Sequence, residues 1–132
     1  MGLTLPTFRF SGTVFSGSGQ GKRFVELPWV NRQLIEKTGF KPFAGTLNVR
    51  LDEEDAKQLV TLWKLEGIEI KPPSGYYPGI LYKATLNGTL CYIVIPKVPS
   101  YPENILEIIA EANLRKKFGY KDGEKVTVEV TV

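Results

Sequence analysis

Apolar and polar residues alternate from Phe8 to Phe15, with Phe8, Phe10, Gly12 and Val14 set against Arg9, Ser11, Thr13 and Phe15. A period of two marks a half-buried strand, so a strand is expected to lead into Ser16-Gly17-Ser18-Gly19-Gln20-Gly21, a run with too little apolar content for regular structure. Arg23-Phe24-Val25-Glu26-Leu27 predicts a second strand, ended by Pro28. Val30, Leu34 and Ile35 then suggest a helix over Trp29–Thr38, with Asn31 as its candidate cap and Gly39 as its stop. Thr46–Leu51 reads as a strand with Leu47, Val49 and Leu51 on one face and Thr46, Asn48 and Arg50 on the other. Asp52-Glu53-Glu54-Asp55 opens a helix expected to run through Trp63, because acidic residues in a first turn suit the helix dipole. Ile80–Leu86 and Thr89–Ile95 are β-rich runs joined at Asn87-Gly88, a strong hairpin signal. Ile105–Ile109 fits either a short buried strand or the start of a helix through Phe118, and periodicity does not decide between them. After the turn signal Asp122-Gly123, Val126, Val128, Val130 and Val132 alternate with polar residues as a terminal strand. Six or so short strands with a few short helices imply a mainly β fold, closed or nearly closed into a barrel that removes exposed sheet edges.

Composition narrows the classes of function. A chain of 132 residues that is 42% hydrophobic can bury a core without disulfide or metal staples, so one domain over residues 1–132 is expected. No stretch approaches the roughly 20 apolar residues needed to cross a bilayer. The first residues, Met1 to Pro6, lack a basic segment followed by an apolar run, and the single cysteine, Cys91, cannot form an internal disulfide. A cytoplasmic monomer is the expectation. The absence of histidine excludes Ser-His-Asp triads, Cys-His pairs and histidine-bearing zinc sites. Proton transfer must therefore use Asp, Glu, Lys, Tyr or water. A formal charge of +3 is compatible with anionic ligands but is far from the field of a dedicated nucleic-acid binder.

Four features could carry chemistry. In Gly17-Ser18-Gly19-Gln20-Gly21-Lys22 the glycines allow backbone amides to converge on an anion and Lys22 adds a positive charge. It is not a P-loop, since Arg23 stands where Ser or Thr is needed, and Lys22 occupies the third glycine position of G-x-G-x-x-G. A flexible hairpin loop is the competing reading. Thr46 and Asn48, two apart on one strand face, offer a hydroxyl and an amide oxygen suited to a hard cation that completes its shell with phosphates and water. An ordinary polar outer face would look the same. Glu107 stands inside Ile105-Leu106-Glu107-Ile108-Ile109, where an ionised carboxylate is costly unless paired or facing a cavity. It is a candidate base or hydroxyl-orienting group, or else a solvent-facing glutamate on an amphipathic segment. Arg115, Lys116 and Lys117 form a basic cluster that either meets phosphates or is a solvated face.

In their order along the chain, these segments resemble the archaeal CTP-dependent riboflavin kinase family. The resemblance is carried by Gly12 through Phe24, by Pro42-Phe43-Ala44-Gly45-Thr46-Leu47-Asn48-Val49, by Ile93-Val94-Ile95-Pro96, and by Leu106-Glu107-Ile108-Ile109-Ala110 followed by Leu114-Arg115 and Asp122-Gly123. It implies a six-stranded cradle-loop barrel related to swapped-hairpin barrels, with CTP as phosphoryl donor, riboflavin as acceptor, and FMN and CDP as products. Carried over by motif, Gly17, Ser18, Gly19, Gln20, Gly21 and Lys22 would hold the nucleotide, and Ala112, Asn113, Leu114 and Arg115 would complete its site. Thr46 and Asn48 would bind Mg²⁺, and Glu107 would lie near the ribityl end of the flavin. The family pattern has a threonine eight residues before the glutamate that helps hold the flavin phosphate. Pro99 stands there, with neither hydroxyl nor amide proton, which leaves Ser100 or Tyr101 as its replacement. The N-terminal winged-helix domain of some members is not expected in 132 residues. The rival expectation is a non-catalytic barrel that binds nucleic acid or flavin, since fold does not determine function.

Overall fold

The computed structural model describes residues 7–17 and 19–131. In chain order the elements are β1 (Thr7–Phe15), α1 (Gln20–Glu26), α2 (Pro28–Thr38), β2 (Leu47–Leu51), α3 (Glu53–Leu62), β3 (Ile68–Ile70), β4 (Gly79–Leu86), β5 (Thr89–Pro96), β6 (Ile105–Ile109), α4 (Leu114–Phe118) and β7 (Lys125–Thr131). Six strands close a mainly β antiparallel barrel in the order β4-β5-β6-β2-β1-β7, with β7 returning to β4. The seventh, β3, pairs with the start of β4 at Ile70↔Gly79, while β7 pairs with the end of β4 at Leu86↔Val128. One edge of β4 thus serves two partners in succession. Asn87 and Gly88 both take positive φ, 50° and 74°, as expected of the Asn-Gly hairpin turn.

Two apolar layers share the sheet. Inside the barrel, Phe10 and Val14 of β1, Val49 of β2, Ile93 of β5, Leu106 and Ile108 of β6, and Val128 and Val130 of β7 form one core. Leu59 and Leu62 of α3 belong to it, and α3 is fixed to β1 where the Ser11 amide donates to Asp55 Oδ2 at 2.6 Å. Outside the barrel, Val25 of α1 and Val30 and Leu34 of α2 pack on Ile70, Leu81, Tyr92, Val94 and Ile109 as a second core. The strands beneath these helices are buried on both faces. That is why Cys91–Ile95 and Leu106–Ile109 form unbroken buried runs, and why Ile105–Ile109 is a strand although it does not alternate like one.

Two expectations are corrected. Residues 23–27 do not form a strand: α1 begins after Gly19, whose φ is 85° and whose carbonyl accepts the Arg23 amide at 3.1 Å, and it buries Val25 completely in the outer core. Packing overrides the β preference of Phe24 and Val25 here. The glycine segment therefore joins a strand to a helix and is not a hairpin loop between strands. Asn31 does not cap α2, which starts at Pro28 with Leu27 as its N-cap; proline suits the first helical turn, where its missing amide hydrogen costs no helical bond. Gly39 ends α2 as expected, with φ at 82°.

The buried Tyr82 hydroxyl of β4 points at the C-terminal end of α3, where it is 3.0 Å from the Leu62 carbonyl and 2.8 Å from that of Leu65. Burial raises its pKa, so it stays a donor. Tyr82→Phe keeps the ring packing and removes the one side-chain donor to these carbonyls, of which that of Leu62 still accepts the Leu65 amide, and should cost about 0.5–1.5 kcal/mol. Urea denaturation checks this: the midpoint should fall at constant m-value, and an unchanged midpoint would remove the hydroxyl from the stability of the barrel.

Candidate functional site

The polar outer face of β2 meets the one charged outward position of β6. Asn48 is the register partner of Glu107, and Leu47 that of Ile108. Period-two geometry sends Leu47, Val49, Leu106 and Ile108 into the barrel, so Asn48 and Glu107 face outward together. Glu107 is nevertheless only 9% exposed, the sole buried charged or polar residue among those described. Both of its oxygens have donors: Thr46 Oγ1 at 3.2 Å from Oε1, and the Tyr101 hydroxyl at 2.5 Å from Oε2. Tyr101 lies on the segment between β5 and β6, turned back by its amide's hydrogen bond to the Val98 carbonyl at 2.9 Å. Its phenol is held well above the usual tyrosine range, first by burial and then by the charge and hydrogen bond of Glu107.

The glycine segment lies directly over this face. A Cβ on Gly21 would fall 2.2 Å from Thr46 Oγ1 and 2.3 Å from Glu107 Oε1, and one on Gly17 would fall 2.7 Å from Asn48 Nδ2. Only glycine allows the backbone to come this close. Gly17, Gly19, Gly21 and Lys22 line a cavity of about 780 Å³ together with Thr46, Asn48, Ser100, Tyr101, Glu107 and Arg115. That volume lies within the roughly 300–1,000 Å³ usual for ligand sites. Phe15, Phe24, Pro96, Val98 and Ile105 make up an apolar part of its wall. Lys22 also pairs loosely with Glu26 at 3.7 Å.

A smaller cavity of about 150 Å³ adjoins the first, since Gly45, Thr46 and Arg115 line both. Ala112, Asn113 and Leu114 line only the smaller one, where the Asn113 side chain caps α4 by accepting the Lys116 amide. Arg115 is steered by Asp122, whose Oδ1 lies 2.5 Å from the guanidinium, while Ser16 Oγ donates to the same carboxylate at 2.8 Å. The Arg115 hydrogen bond, followed by that of Ser16, lowers the pKa of this exposed carboxyl. One carboxylate thereby ties the start of the glycine segment to α4.

Of the residues singled out in the sequence, Gly17, Gly19, Gly21, Lys22, Thr46, Asn48, Ser100, Glu107 and Arg115 face the larger cavity. Pro99 lines neither cavity, although Val98, Ser100 and Tyr101 on both sides of it line the larger one. Gln20 is the first residue of α1. Ser18 lies outside the described residues. The link through Asp122 was not legible, because Asp122-Gly123 reads as a turn and nothing in its spacing points to Ser16 or Arg115. Thr46, Asn48 and Glu107 supply a hydroxyl, an amide and a carboxylate side by side, and no group of three or more Cys, Asp or Glu capable of holding an ion occurs among the described residues. This neutral pair beside one carboxylate fits a cation held mainly by phosphates and water, not an all-protein cage. The buried Cys91 thiol, pushed up to about 12 by burial, lies in the barrel core and is no nucleophile.

Comparison with known proteins gives a consistent result. A family model for CTP-dependent riboflavin kinases, described as "Domain of unknown function DUF120", matches residues 14–130. The chain is 41% identical over 128 residues to a protein named riboflavin kinase from Archaeoglobus fulgidus, covering 94% of this chain and 55% of that one. A riboflavin kinase from Pyrobaculum aerophilum is 36% identical over 132 residues, covering 97% of this chain and 63% of that one. One from Methanopyrus kandleri is 32% identical over 119 residues, covering 90% and 80%. The chain therefore spans between about half and two-thirds of the first two relatives' length. No helix among the described residues is long and apolar enough to cross a membrane.

Because a methyl group at Gly21 would overlap the Thr46 and Glu107 side chains, Gly21→Ala should displace those side chains or push α1 away from β2 and β6. The expected cost is about 1–3 kcal/mol, read as a lower urea midpoint. A variant as stable as the parent would show that the glycine segment does not bear on Thr46 and Glu107.

Proposed function

The chain belongs to the CTP-dependent riboflavin kinase family, and from that premise we propose that it transfers the γ-phosphoryl of CTP to the 5′-hydroxyl of riboflavin, giving FMN and CDP. The observation that carries the reading is the convergence of the glycine segment, Thr46, Asn48 and Glu107 on one cavity of about 780 Å³. Gly17–Lys22 and Arg115 hold the triphosphate through backbone amides and two positive side chains. Ala112, Asn113 and Leu114 face the nucleoside in the smaller cavity. Thr46 and Asn48 hold Mg²⁺, which when bound neutralises charge on the phosphate oxygens. The apolar wall of Phe24, Pro96 and Val98 takes the isoalloxazine ring, with Ser100 near the ribityl end.

Phosphoryl transfer makes modest demands on side chains, since positioning and electrostatics supply most of the catalysis. Glu107 orients the ribityl hydroxyl and accepts its proton as the new oxygen–phosphorus bond forms and the bond to the β-phosphate oxygen breaks in line. No histidine is needed. The small-molecule substrates, the modest net charge and the lone buried cysteine support a monomeric protein working in the cytoplasm, with no nucleic acid as partner.

Incubating the protein with riboflavin, Mg²⁺ and each nucleoside triphosphate in turn should yield FMN, most rapidly with CTP. Riboflavin binding without FMN from any donor would make the protein a flavin carrier, and salt-sensitive oligonucleotide binding would make it a nucleic-acid module. Asn48→Leu should abolish Mg²⁺-dependent turnover with the fold intact; full turnover in that variant would take Asn48 out of the metal site. Glu107→Gln should lower kcat by about 10²–10⁴-fold while nucleotide KM changes little. An undiminished kcat would reject the role of Glu107 as base.

A further inference from the structure

The carboxylate of Glu107 can do its proposed work only if it stays in one orientation. A glutamate side chain has three rotatable bonds, and the apolar neighbours Ile105 and Ile109 on its own strand face offer it no polar partner. Thr46 supplies one donor, at 3.2 Å, a long bond from a residue that the proposed function also assigns to the metal. The shorter and better placed donor is the Tyr101 phenol at 2.5 Å. Hydrogen bonds to an ionised carboxylate are the strong ones.

The segment that carries Tyr101 is built to hold the ring in place. Pro99 and Pro102 flank it and fix two backbone φ angles, and the Tyr101 amide closes a turn onto the Val98 carbonyl. Burial and the neighbouring charge keep the phenol protonated through the whole working range of pH, so the donor is never lost to titration. Each carboxylate oxygen retains a second acceptor site beyond the donor it already has. Glu107 can therefore be held by Tyr101 and still accept a substrate hydroxyl from the cavity.

We infer that Tyr101 is a positioning residue for the transfer reaction, acting through Glu107 by fixing its carboxylate toward the acceptor hydroxyl. This rests on the reading of the chain as a riboflavin kinase, and it goes beyond that reading by giving Tyr101, which the sequence offers only as a replacement contact to the flavin phosphate, a task performed through Glu107. Pro99, where the family pattern has a threonine, cannot donate at all, so the only side-chain donors between β5 and β6 that face the cavity are Ser100 and Tyr101, and of these Tyr101 makes the bond.

Steady-state kinetics on the wild type, Tyr101→Phe, Glu107→Gln and the double variant test this. Tyr101→Phe should lower kcat on the order of tenfold to a hundredfold, the scale set by a small misplacement of a reacting group, with nucleotide KM unchanged. In the Glu107→Gln background the same substitution should cause no further loss, because its effect runs through the carboxylate. Replacing Tyr101 by para-aminophenylalanine keeps a donor at the same place and should recover most of the lost kcat. Thermal melting of each variant separates these effects from unfolding. An unchanged kcat in Tyr101→Phe, a loss that adds in full to that of Glu107→Gln, or no recovery with the amino analogue would each overturn the inference. A wild type that makes no FMN would instead overturn the kinase reading itself, and this inference with it.

Discussion

A carboxylate in the middle of an apolar strand has to be solvated by the protein or exposed to water, and at 9% exposure Glu107 has been given protein donors. Everything around it follows from that requirement. Thr46 and Tyr101 reach it from two different segments, one at the mouth of β2 and the other on the connection before β6. Thr46 could not do so without the antiparallel register that sets Asn48 opposite Glu107. A slip of one residue would turn Glu107 into the barrel core, among Leu106 and Ile108, with no donor in reach. The register is therefore fixed twice, by the apolar set that must face inward and by the single carboxylate that must face outward.

The outer helices give the site its other wall. The position of α1 is set by Val25, fully buried against Tyr92, Val94 and Ile109, and its first residues are thereby brought down on Thr46 and Glu107. Packing at one end of a seven-residue helix thus decides the geometry at the other. Gly17 and Gly21 are the positions where this approach leaves no space for a side chain. The glycine segment is held on both sides. It is anchored at Ser16 by Asp122 and at Val25 by the outer core, and it spans the polar face between these two points.

How much of this was legible depended on whether a signal was local. The hairpin at Asn87-Gly88 and the acidic start of α3 depend on residues adjacent in sequence, and both stand as read, Asp52 capping α3 by accepting the Asp55 amide. Residues 23–27 misled because Phe24 and Val25 favour strands, whereas the helix is imposed by contacts with residues far along the chain. Ile68–Ile70 has three residues and no room for a pattern, so β3 escaped notice. Ile105–Ile109 was ambiguous for a physical reason: a strand with apolar layers on both sides has no alternation to display. The pieces of the site were visible as motifs, but their meeting was not, since the pairing of Asn48 with Glu107 is a long-range fact and the reach of Tyr101, six residues before Glu107, depends on how the irregular segment between them turns.

The same double burial bears on function. Strands β2 and β6 are backed by the barrel core on their inner face, and β6 is flanked on its outer face by the second core at Ile109. Groups mounted there move little, because close-packed interiors do not deform continuously. For a reaction whose barrier is lowered mainly by holding donor and acceptor in line, that rigidity is what the residues of the site need. The parts that must accommodate a ligand lie instead on connections, at residues 16, 17 and 19 and at 97–104. The division places Thr46, Asn48 and Glu107 on the scaffold and leaves Ser100, Tyr101, Gly17 and Gly19 on the segments around it. Tyr101 is the member of the second group tied back to the first, and it carries the order of the scaffold into the connection that borders the cavity.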